Sequence, residues 1–198
     1  MFPKKRHKMT ELEISIKTYF GIIEPQDLKE ITSLFQLEIL KKGDYFLKTN
    51  KRCDRLSFLQ KGFLRIFLET EKKEVTQWIS TQGYFVTDLS SFIFEKPARW
   101  TIQALTDTEI YTIKKSDYDN IKNIIPKWAE LEKLFIVHCF TTLEDRIFSH
   151  LSMSAEERYD FFFENNKKLF NQVPLQYIAS ILGMTPETFS RIRKKQLS

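Results

Sequence analysis

The sequence predicts an α+β protein in which a β-rich region is followed by one long helix and then by several short ones. Short apolar runs rich in β-forming residues, separated by turns, fill residues 35–114, which is typical of a sandwich or barrel. Apolar residues then recur every three or four positions over residues 126–151, which indicates an amphipathic helix. Near the C-terminus, a Gly-Met-Thr-Pro sequence joins two short helical patterns by a tight turn.

The individual elements have local support. Two short helices are expected within residues 10–33, because Gly21 interrupts the pattern and Pro25 suits the first turn of a new helix. Another helix is expected to begin at Ser154, where a serine is followed three residues later by a glutamate. The three phenylalanines at 161–163 are expected in the core. Strands are predicted at residues 56–59, 63–68, 75–79 and 109–113.

The composition fits a soluble globular protein and favours an anionic partner. The 198 residues are 42% hydrophobic and 29% charged, with a formal net charge of +5. No apolar run reaches the ~18 residues of a membrane-spanning helix, so no membrane association is expected, and the cytoplasm is the default location. Much of the positive charge lies at the two ends of the chain. The N-terminal cluster is interpreted as a leader, with Met9 as an alternative start, and comprises Lys4, Lys5, Arg6 and Lys8.

Enzymatic and metal-dependent functions have little support. The histidines, His7, His138 and His150, all lie outside the β-rich region, so a metal-dependent barrel enzyme would lack imidazole ligands. Two cysteines cannot form a disulfide scaffold or a Cys-rich metal cluster. No Gly-rich nucleotide loop, Ser-His-Asp order or carboxylate pair is evident, so the chain is not expected to be an enzyme, and no cofactor is identified. Cys53 is expected in a polar turn, as an exposed thiol or, alternatively, as a redox-sensitive one.

The long helical pattern predicts dimerisation. One apolar face supplies the predicted dimer contacts, which are Leu131, Phe135, Cys139 and Leu143. A second flank also carries apolar side chains, which are Leu134, Val137 and Phe140. A helix that is apolar on more than one side needs more burial than a small barrel offers, and a second copy of the chain would supply it. The alternative is a helix that lies across its own domain.

The last two helical patterns have the features of a helix-turn-helix. Gly183 suits the left-handed end of the first helix, Thr185 the N-cap of the second, and Pro186 its first position. Ala179 is small enough for the two helices to cross closely. The apolar residues that can form a core between them are Ile178, Leu182, Phe189 and Ile192.

The second of these helices has a polar outward face. Four residues fall at positions i, i+3, i+4 and i+7, namely Glu187, Ser190, Arg191 and Lys194. An arginine and a carboxylate near the start of such a helix can read guanine and cytosine edges in the major groove of DNA, so Glu187 and Arg191 are predicted base contacts. The predicted phosphate contacts are Thr185, Arg193, Lys194 and Lys195. The alternative is an ordinary helical hairpin with a solvated charged face.

The C-terminal motif resembles the helix-turn-helix of the cyclic-AMP receptor protein/fumarate–nitrate regulator superfamily. The matching residues run from Ile178 to Thr185 and from Glu187 to Arg191. The Arg-Ile-Arg-Lys-Lys sequence near the end resembles the branch common in Bacteroidetes. Weaker matches occur in the family's order, at residues 40–44, 60–65, 83–85 and 145–147.

This resemblance implies three parts. Residues 1–125 would form a cyclic-nucleotide-binding-like β-barrel (a double-stranded β-helix) that acts as a sensor. Residues 126–151 would form a dimerisation helix. Residues 152–198 would form a helix-turn-helix DNA-binding domain.

The resemblance further implies a transcription regulator that binds double-stranded DNA as a homodimer and contacts RNA polymerase. Glu187 and Arg191 match the family's base-reading acid and arginine, and Ser190 matches a base-reading serine of the fumarate–nitrate type. Pro186 stands where receptor-type members have an arginine, so the implied half-site resembles TTGA. The alternative function is a ligand- or protein-binding adaptor whose helix-turn-helix is vestigial.

The resemblance also places an effector pocket in the barrel, where the sequence departs from the cyclic-nucleotide pattern. Members that bind cyclic nucleotides hold the phosphate with a helix N-terminus and with an arginine about ten residues later. At that position this chain has Ala98, with Arg99 one residue along and expected on the opposite face. Cyclic AMP is therefore not the expected effector, and the effector's identity stays open. Asp88 and Arg99 are candidates for a different ligand or for an internal ion pair. The candidate pocket residues are Thr87, Asp88, Leu89, Ser90, Ser91 and Arg99.

Overall fold

The computed structural model describes residues 9–21 and 24–196. The predicted N-terminal basic cluster (Lys4, Lys5, Arg6 and Lys8) and His7 lie outside the described residues. The helices of the described residues are α1 (Glu11–Phe20), α2 (Pro25–Ser33), α3 (Leu89–Phe94), α4 (Lys115–Ile124), α5 (Trp128–Ser152), α6 (Ala155–Gln172), α7 (Leu175–Ile181) and α8 (Pro186–Gln196). The strands are β1 (Gln36–Leu40), β2 (Tyr45–Leu47), β3 (Arg55–Lys61), β4 (Leu64–Glu69), β5 (Glu74–Ser80), β6 (Phe85–Val86), β7 (Thr101–Ala104) and β8 (Thr108–Lys114).

The strands form a sandwich of two four-stranded antiparallel sheets, in the orders β1-β8-β3-β6 and β2-β7-β4-β5. Three of the four predicted strand segments lie within β3, β5 and β8, and the fourth, residues 63–68, overlaps β4, which begins at Leu64. Between the sheets, the interior is filled by fully buried side chains such as Leu59, Leu64, Ile102 and Ile110. Apolar strand residues that alternate between two faces dictate this packing, because successive side chains point to opposite sides of a strand.

The N-terminal helices and the first half of α5 form a second core against the sandwich. Phe58 of β3 is fully buried in it, with Ile16 and Phe20 of α1. The ring of Phe20 stacks on that of Phe135 of α5, with centroids 4.7 Å apart. This stacking fixes one face of α5 inside its own protomer.

The buried face of α5 corrects the predicted set of dimer contacts. Leu131 and Phe135 are only 8% and 3% exposed, because α1 and the sandwich cover them, and Cys139 packs partly against the same core. Leu143 alone of the four is exposed. The exposed apolar stripe instead lies on the adjacent face of the helix and comprises Ile136, Phe140, Leu143, Ile147 and Leu151.

The C-terminal helices form a third core that includes part of the sandwich. Ile178 of α7 and Phe189 of α8 are buried together with Phe63 and Ile79 of the sandwich. Ser154 caps α6 through a capping box with Glu157, as the sequence predicts. Only the middle one of the three phenylalanines at 161–163 is buried, so the expectation that all three lie in the core is wrong.

Cys53 also differs from expectation. Its side chain is buried, with Sγ 3.2 Å from the hydroxyl of Thr87 and 3.4 Å from the carbonyl oxygen of Arg55. The polar neighbours in the sequence point to solvent while the thiol points into the sandwich. Cys53 is therefore not an exposed thiol.

Over the described residues, none of the helices has the length and hydropathy of a membrane span. No cluster of three or more His, Cys, Asp or Glu side chains that could hold a metal ion occurs over residues 9–21 and 24–196.

Candidate nucleic-acid interface and adjacent clefts

The turn between α7 and α8 fixes the direction of α8. Gly183 has φ +68°, a left-handed conformation that favours glycine. The Thr185 hydroxyl accepts a hydrogen bond from the backbone N–H of Thr188 at 3.2 Å, as an N-cap does. Pro186 is the first residue of α8, where a missing N–H costs nothing.

The underside of α8 is held by apolar packing. Phe189 and Ile192 are buried against α7, where Ile178 and Ala179 have no exposed surface. The Phe189 ring lies edge-on to that of Tyr159 of α6, with centroids 5.3 Å apart. The burial of Phe189 and Ile192 therefore determines which residues of α8 face outward.

The outward face of α8 is exposed and carries both signs of charge. Glu187, Ser190, Arg191 and Lys194 are all exposed, as their predicted spacing requires. Hydrogen bonds from its own backbone N–H and from the Thr185 hydroxyl hold the pKa of Glu187 below its usual range, so its carboxylate is ionised at neutral pH.

Three of the predicted phosphate contacts are available at the end of α8 or at its cap, and one is engaged. Thr185 and Lys194 are exposed, and Arg193 is half-buried. The Nζ of Lys195 instead forms an ion pair with the Glu156 carboxylate of α6 at 2.9 Å. Both side chains of that pair are exposed, so the pair is weak and a phosphate could replace Glu156.

Helix α7 is docked on strand β5 of the sandwich. The backbone N–H of Thr76 donates to the Ser180 hydroxyl at 2.9 Å. The buried guanidinium of Arg65 lies 3.6 Å from the centroid of the Tyr177 ring and forms a 2.7 Å ion pair with Glu74. A cleft of about 710 Å³ separates the first turn of α8 from the β4–β5 hairpin. Sequence reasoning missed this docking, since its partners are about a hundred residues apart.

The predicted effector residues centre on Asp88, whose carboxylate is already fully engaged. Asp88 is 3% exposed and caps α3, accepting from the Ser91 N–H at 3.0 Å. Its other oxygen accepts from the backbone N–H groups of Arg99 at 2.9 Å and Trp100 at 3.2 Å. The predicted internal ion pair is therefore wrong, because Asp88 accepts a hydrogen bond from the backbone N–H of Arg99 and does not pair with its guanidinium.

The other predicted pocket residues divide into two groups. Ser91 is buried, and its hydroxyl accepts a hydrogen bond from the Cys53 N–H and donates one to the Lys96 carbonyl. Arg99, by contrast, is exposed. Ala98 is buried, so Arg99 has the opposite orientation, as the one-residue offset predicts. The remaining four line a cleft of about 360 Å³ between the sandwich and α5, and they are Thr87, Asp88, Leu89 and Ser90.

This cleft between the sandwich and α5, here called the α5 cleft, is lined by aromatic side chains and by an arginine. Trp78, Tyr84 and Trp100 line it from the sandwich, and Arg146 lines it from α5. The Nη2 of Arg146 donates to the Gln77 carbonyl oxygen at 2.7 Å, and its guanidinium lies 4.5 Å from the Trp78 ring centroid. Burial lowers the pKa of Arg146, and burial raises that of Tyr84. In the sequence analysis, Arg146 was noted only as part of the weak family match at residues 145–147.

The sandwich is similar to one known family of domains. Residues 37–123 match the family model described as the cyclic nucleotide-binding domain. The match runs from the second residue of β1 into α4, and therefore includes Asp88 and the sandwich side of the α5 cleft. None of the curated protein sequences compared with the chain matches it.

Solved structures with the same fold extend the similarity beyond the sandwich. The catabolite activator protein of Thermus thermophilus is 19% identical, with a TM-score of 0.57 over 89% of this chain and 85% of that chain. FixK2 of Bradyrhizobium japonicum is 17% identical, with a TM-score of 0.67 over 81% of this chain and 83% of that chain. The c-di-GMP responsive global regulator CLP of Xanthomonas campestris is 13% identical, with a TM-score of 0.63 over 88% of this chain and 92% of that chain. These similarities show a shared fold.

Proposed function

We propose that this protein is a cytoplasmic, sequence-specific transcription regulator that binds double-stranded DNA as a homodimer. The observation that carries the proposal is the exposed face of α8. Buried Phe189 and Ile192 hold the helix in place, and Glu187, Ser190 and Arg191 project away from the protein. A packed helix pair with such a face is the arrangement that enters a major groove.

The side chains of this face divide by chemistry. Arg191 can donate two hydrogen bonds to one guanine, Glu187 can accept from cytosine, and Ser190 can contact either kind of base. Lys194 and Arg193 follow towards the end of α8, where cations bind phosphates without reading sequence. Thr185, at the N-cap, can also donate to a phosphate.

Homodimerisation is supported by the exposed stripe on α5. Phe140 is 58% exposed and Leu143 44% exposed, although both are large apolar side chains on a regular helix. Ile136, Ile147 and Leu151 continue the stripe at steps of three or four residues, as in a two-helix coiled coil. A second copy would cover it and would relate two α8 helices by two-fold symmetry.

The sandwich would act as the sensor, for an effector other than cyclic AMP. The Asp88 carboxylate binds the Ser91 N–H in the first turn of α3 and the N–H groups of Arg99 and Trp100, so it places a negative charge where a phosphate would otherwise bind. The similar structures include proteins named as a catabolite activator and a global regulator. By analogy, RNA polymerase is a proposed partner.

A direct test compares duplexes that differ only in half-site spacing. The wild-type protein is titrated into a duplex with two inverted TTGA half-sites, centred one helical turn apart, and into one whose half-sites are about 5 base pairs farther apart. We expect tighter binding to the first, because a rigid dimer presents its two α8 helices to one face of the DNA. Equal affinity for both duplexes would contradict dimeric sequence reading.

A further inference from the structure

The α5 cleft contains a cation without an acidic partner. Arg146 forms no ion pair with any carboxylate of the described chain. Within the described residues its guanidinium makes one hydrogen bond, to the Gln77 carbonyl, which leaves further guanidinium N–H groups able to donate to a ligand. A partly buried charge that lacks a counter-ion is costly, and an anion bound in the cleft would offset that cost.

A second charged side chain that lines the cleft is acidic. The Asp88 carboxylate lines it as well, and it accepts hydrogen bonds from three backbone N–H groups. A ligand anion beside Asp88 would be repelled by this negative charge. The acidic group of a ligand is therefore expected on Arg146, the arginine that lines the cleft.

The aromatic side chains that line the cleft favour a flat ring as ligand. Trp78 and Tyr84 lie with ring centroids 6.0 Å apart, and Trp100 and Phe85 also line the cleft. Aromatic side chains pack well against another flat ring in offset or edge-on geometry. A volume of about 360 Å³ accommodates a ligand of one or two fused rings.

We propose that the α5 cleft binds a small aromatic carboxylic acid, with its ring among Trp78, Tyr84 and Trp100 and its carboxylate on Arg146. A planar guanidinium matches a planar carboxylate through two parallel hydrogen bonds. This inference rests on the proposed function in one respect, that the ligand is the regulator's effector. The binding itself requires no DNA.

Isothermal titration calorimetry with paired probes tests the proposal. The probes are benzoate, phenylacetate and indole-3-acetate, each paired with its neutral amide. For the wild type we expect at least one acid to bind about tenfold or more tightly than its amide, since a charge-assisted pair has no counterpart in the amide. The proposal is overturned if none of the three acids binds more tightly than its amide, or if none of them binds at all.

Three arginine variants locate the acid group. Arg146→Gln should bind acid and amide with similar affinity, whereas Arg146→Lys should keep a preference for the acid. Arg99→Gln is the matched control, because Arg99 is exposed and outside the cleft, and it should behave as the wild type. If Arg146→Gln still binds the acid more tightly than the amide, the proposal is overturned. If that variant fails to fold, the comparison of acid and amide on the wild type still tests the proposal. Because DNA is absent throughout, failure here leaves the half-site spacing test unaffected.

Discussion

The Ser180 hydroxyl of α7 accepts a hydrogen bond from the backbone N–H of Thr76 at 2.9 Å, and this bond ties the C-terminal helices to strand β5. The next residue of that strand, Gln77, accepts the bond from Arg146 of α5. Strand β5 thus contacts both α7 and Arg146, which lines the α5 cleft. A ligand that moved Arg146 away from Gln77 would remove a hydrogen bond from β5, the strand on which α7 is docked.

The Thr76–Ser180 bond predicts a measurable loss of stability. In Ser180→Ala the buried N–H of Thr76 loses its acceptor, so the free energy of unfolding should fall by about 1–3 kcal/mol. Urea denaturation measures the change. Ser190→Ala, at an exposed position, should change it by less than about 0.5 kcal/mol. Equal effects of the two variants would mean that the docking of α7 on β5 is not formed in solution.

The two kinds of DNA contact predict different mutant behaviour. Arg191→Ala should cost about 1–3 kcal/mol of binding free energy on the preferred site and relax base choice at one position. Lys194→Ala should weaken binding to every sequence alike. It should also reduce the slope of log K against log salt concentration by about 1, as the loss of one phosphate contact requires. Fluorescence anisotropy over a range of salt concentrations separates them. If the two variants behave alike across sequences, the division into base and phosphate contacts is wrong.

The exposed stripe on α5 predicts a dimer that a single charge disrupts. Phe140→Glu places a carboxylate in the proposed interface, where it would be desolvated without a partner, and should give monomers. Phe161→Glu is a matched control, because Phe161 is 57% exposed, against 58% for Phe140, and lies on α6. Light scattering after size-exclusion chromatography reports the masses. A dimeric Phe140→Glu variant would place the interface elsewhere.

The engaged carboxylate of Asp88 predicts a stability effect and a lack of response to cyclic AMP. Asparagine offers only one acceptor oxygen, so Asp88→Asn should lower the free energy of unfolding by about 1–3 kcal/mol. Asp117→Asn, at an exposed position on α4, is the control and should have little effect. Added cyclic AMP should leave the Tm of the wild type unchanged. A rise in that Tm would show that cyclic AMP binds despite Asp88 and would contradict the prediction.

Cys139 should react slowly with alkylating reagents. Burial raises the pKa of its thiol from 9.0 to about 11, so the thiolate fraction at neutral pH falls about 100-fold. Mass spectrometry can follow modification by iodoacetamide at this cysteine in the folded and the urea-unfolded protein. A folded protein that reacts as fast as the unfolded one would contradict the partial burial of Cys139.

The sequence predicts those elements whose signal is local. β3, β4, β5 and β8 are rich in β-branched and aromatic residues, and the helix starts at Pro25 and Ser154 carry standard capping signals. β6 was not predicted, because its two residues are a strand only through pairing with β3. β1, β2 and β7 were also missed, each being three to five residues long.

Side-chain environments that depend on distant residues were harder to predict. Periodicity finds the apolar face that contains Leu131 and Phe135, but it cannot tell that α1 covers it. The neighbours of Cys53 are polar, yet the thiol is buried. The position of Arg146 beside Gln77 depends on a contact between residues 69 positions apart. The exposed face of α8, by contrast, follows from its own spacing and was predicted residue by residue.

The most direct test of the proposed function is selection of bound sequences from randomised duplex DNA by the purified protein at physiological salt, without added ligand. We expect enrichment of a two-fold-symmetric motif with half-sites about one helical turn apart. The same selection with the Glu187→Ala/Arg191→Ala double variant should lose the bases that these residues read. A motif that persists unchanged in the double variant, or no enrichment by folded dimeric wild type, would contradict sequence reading by α8.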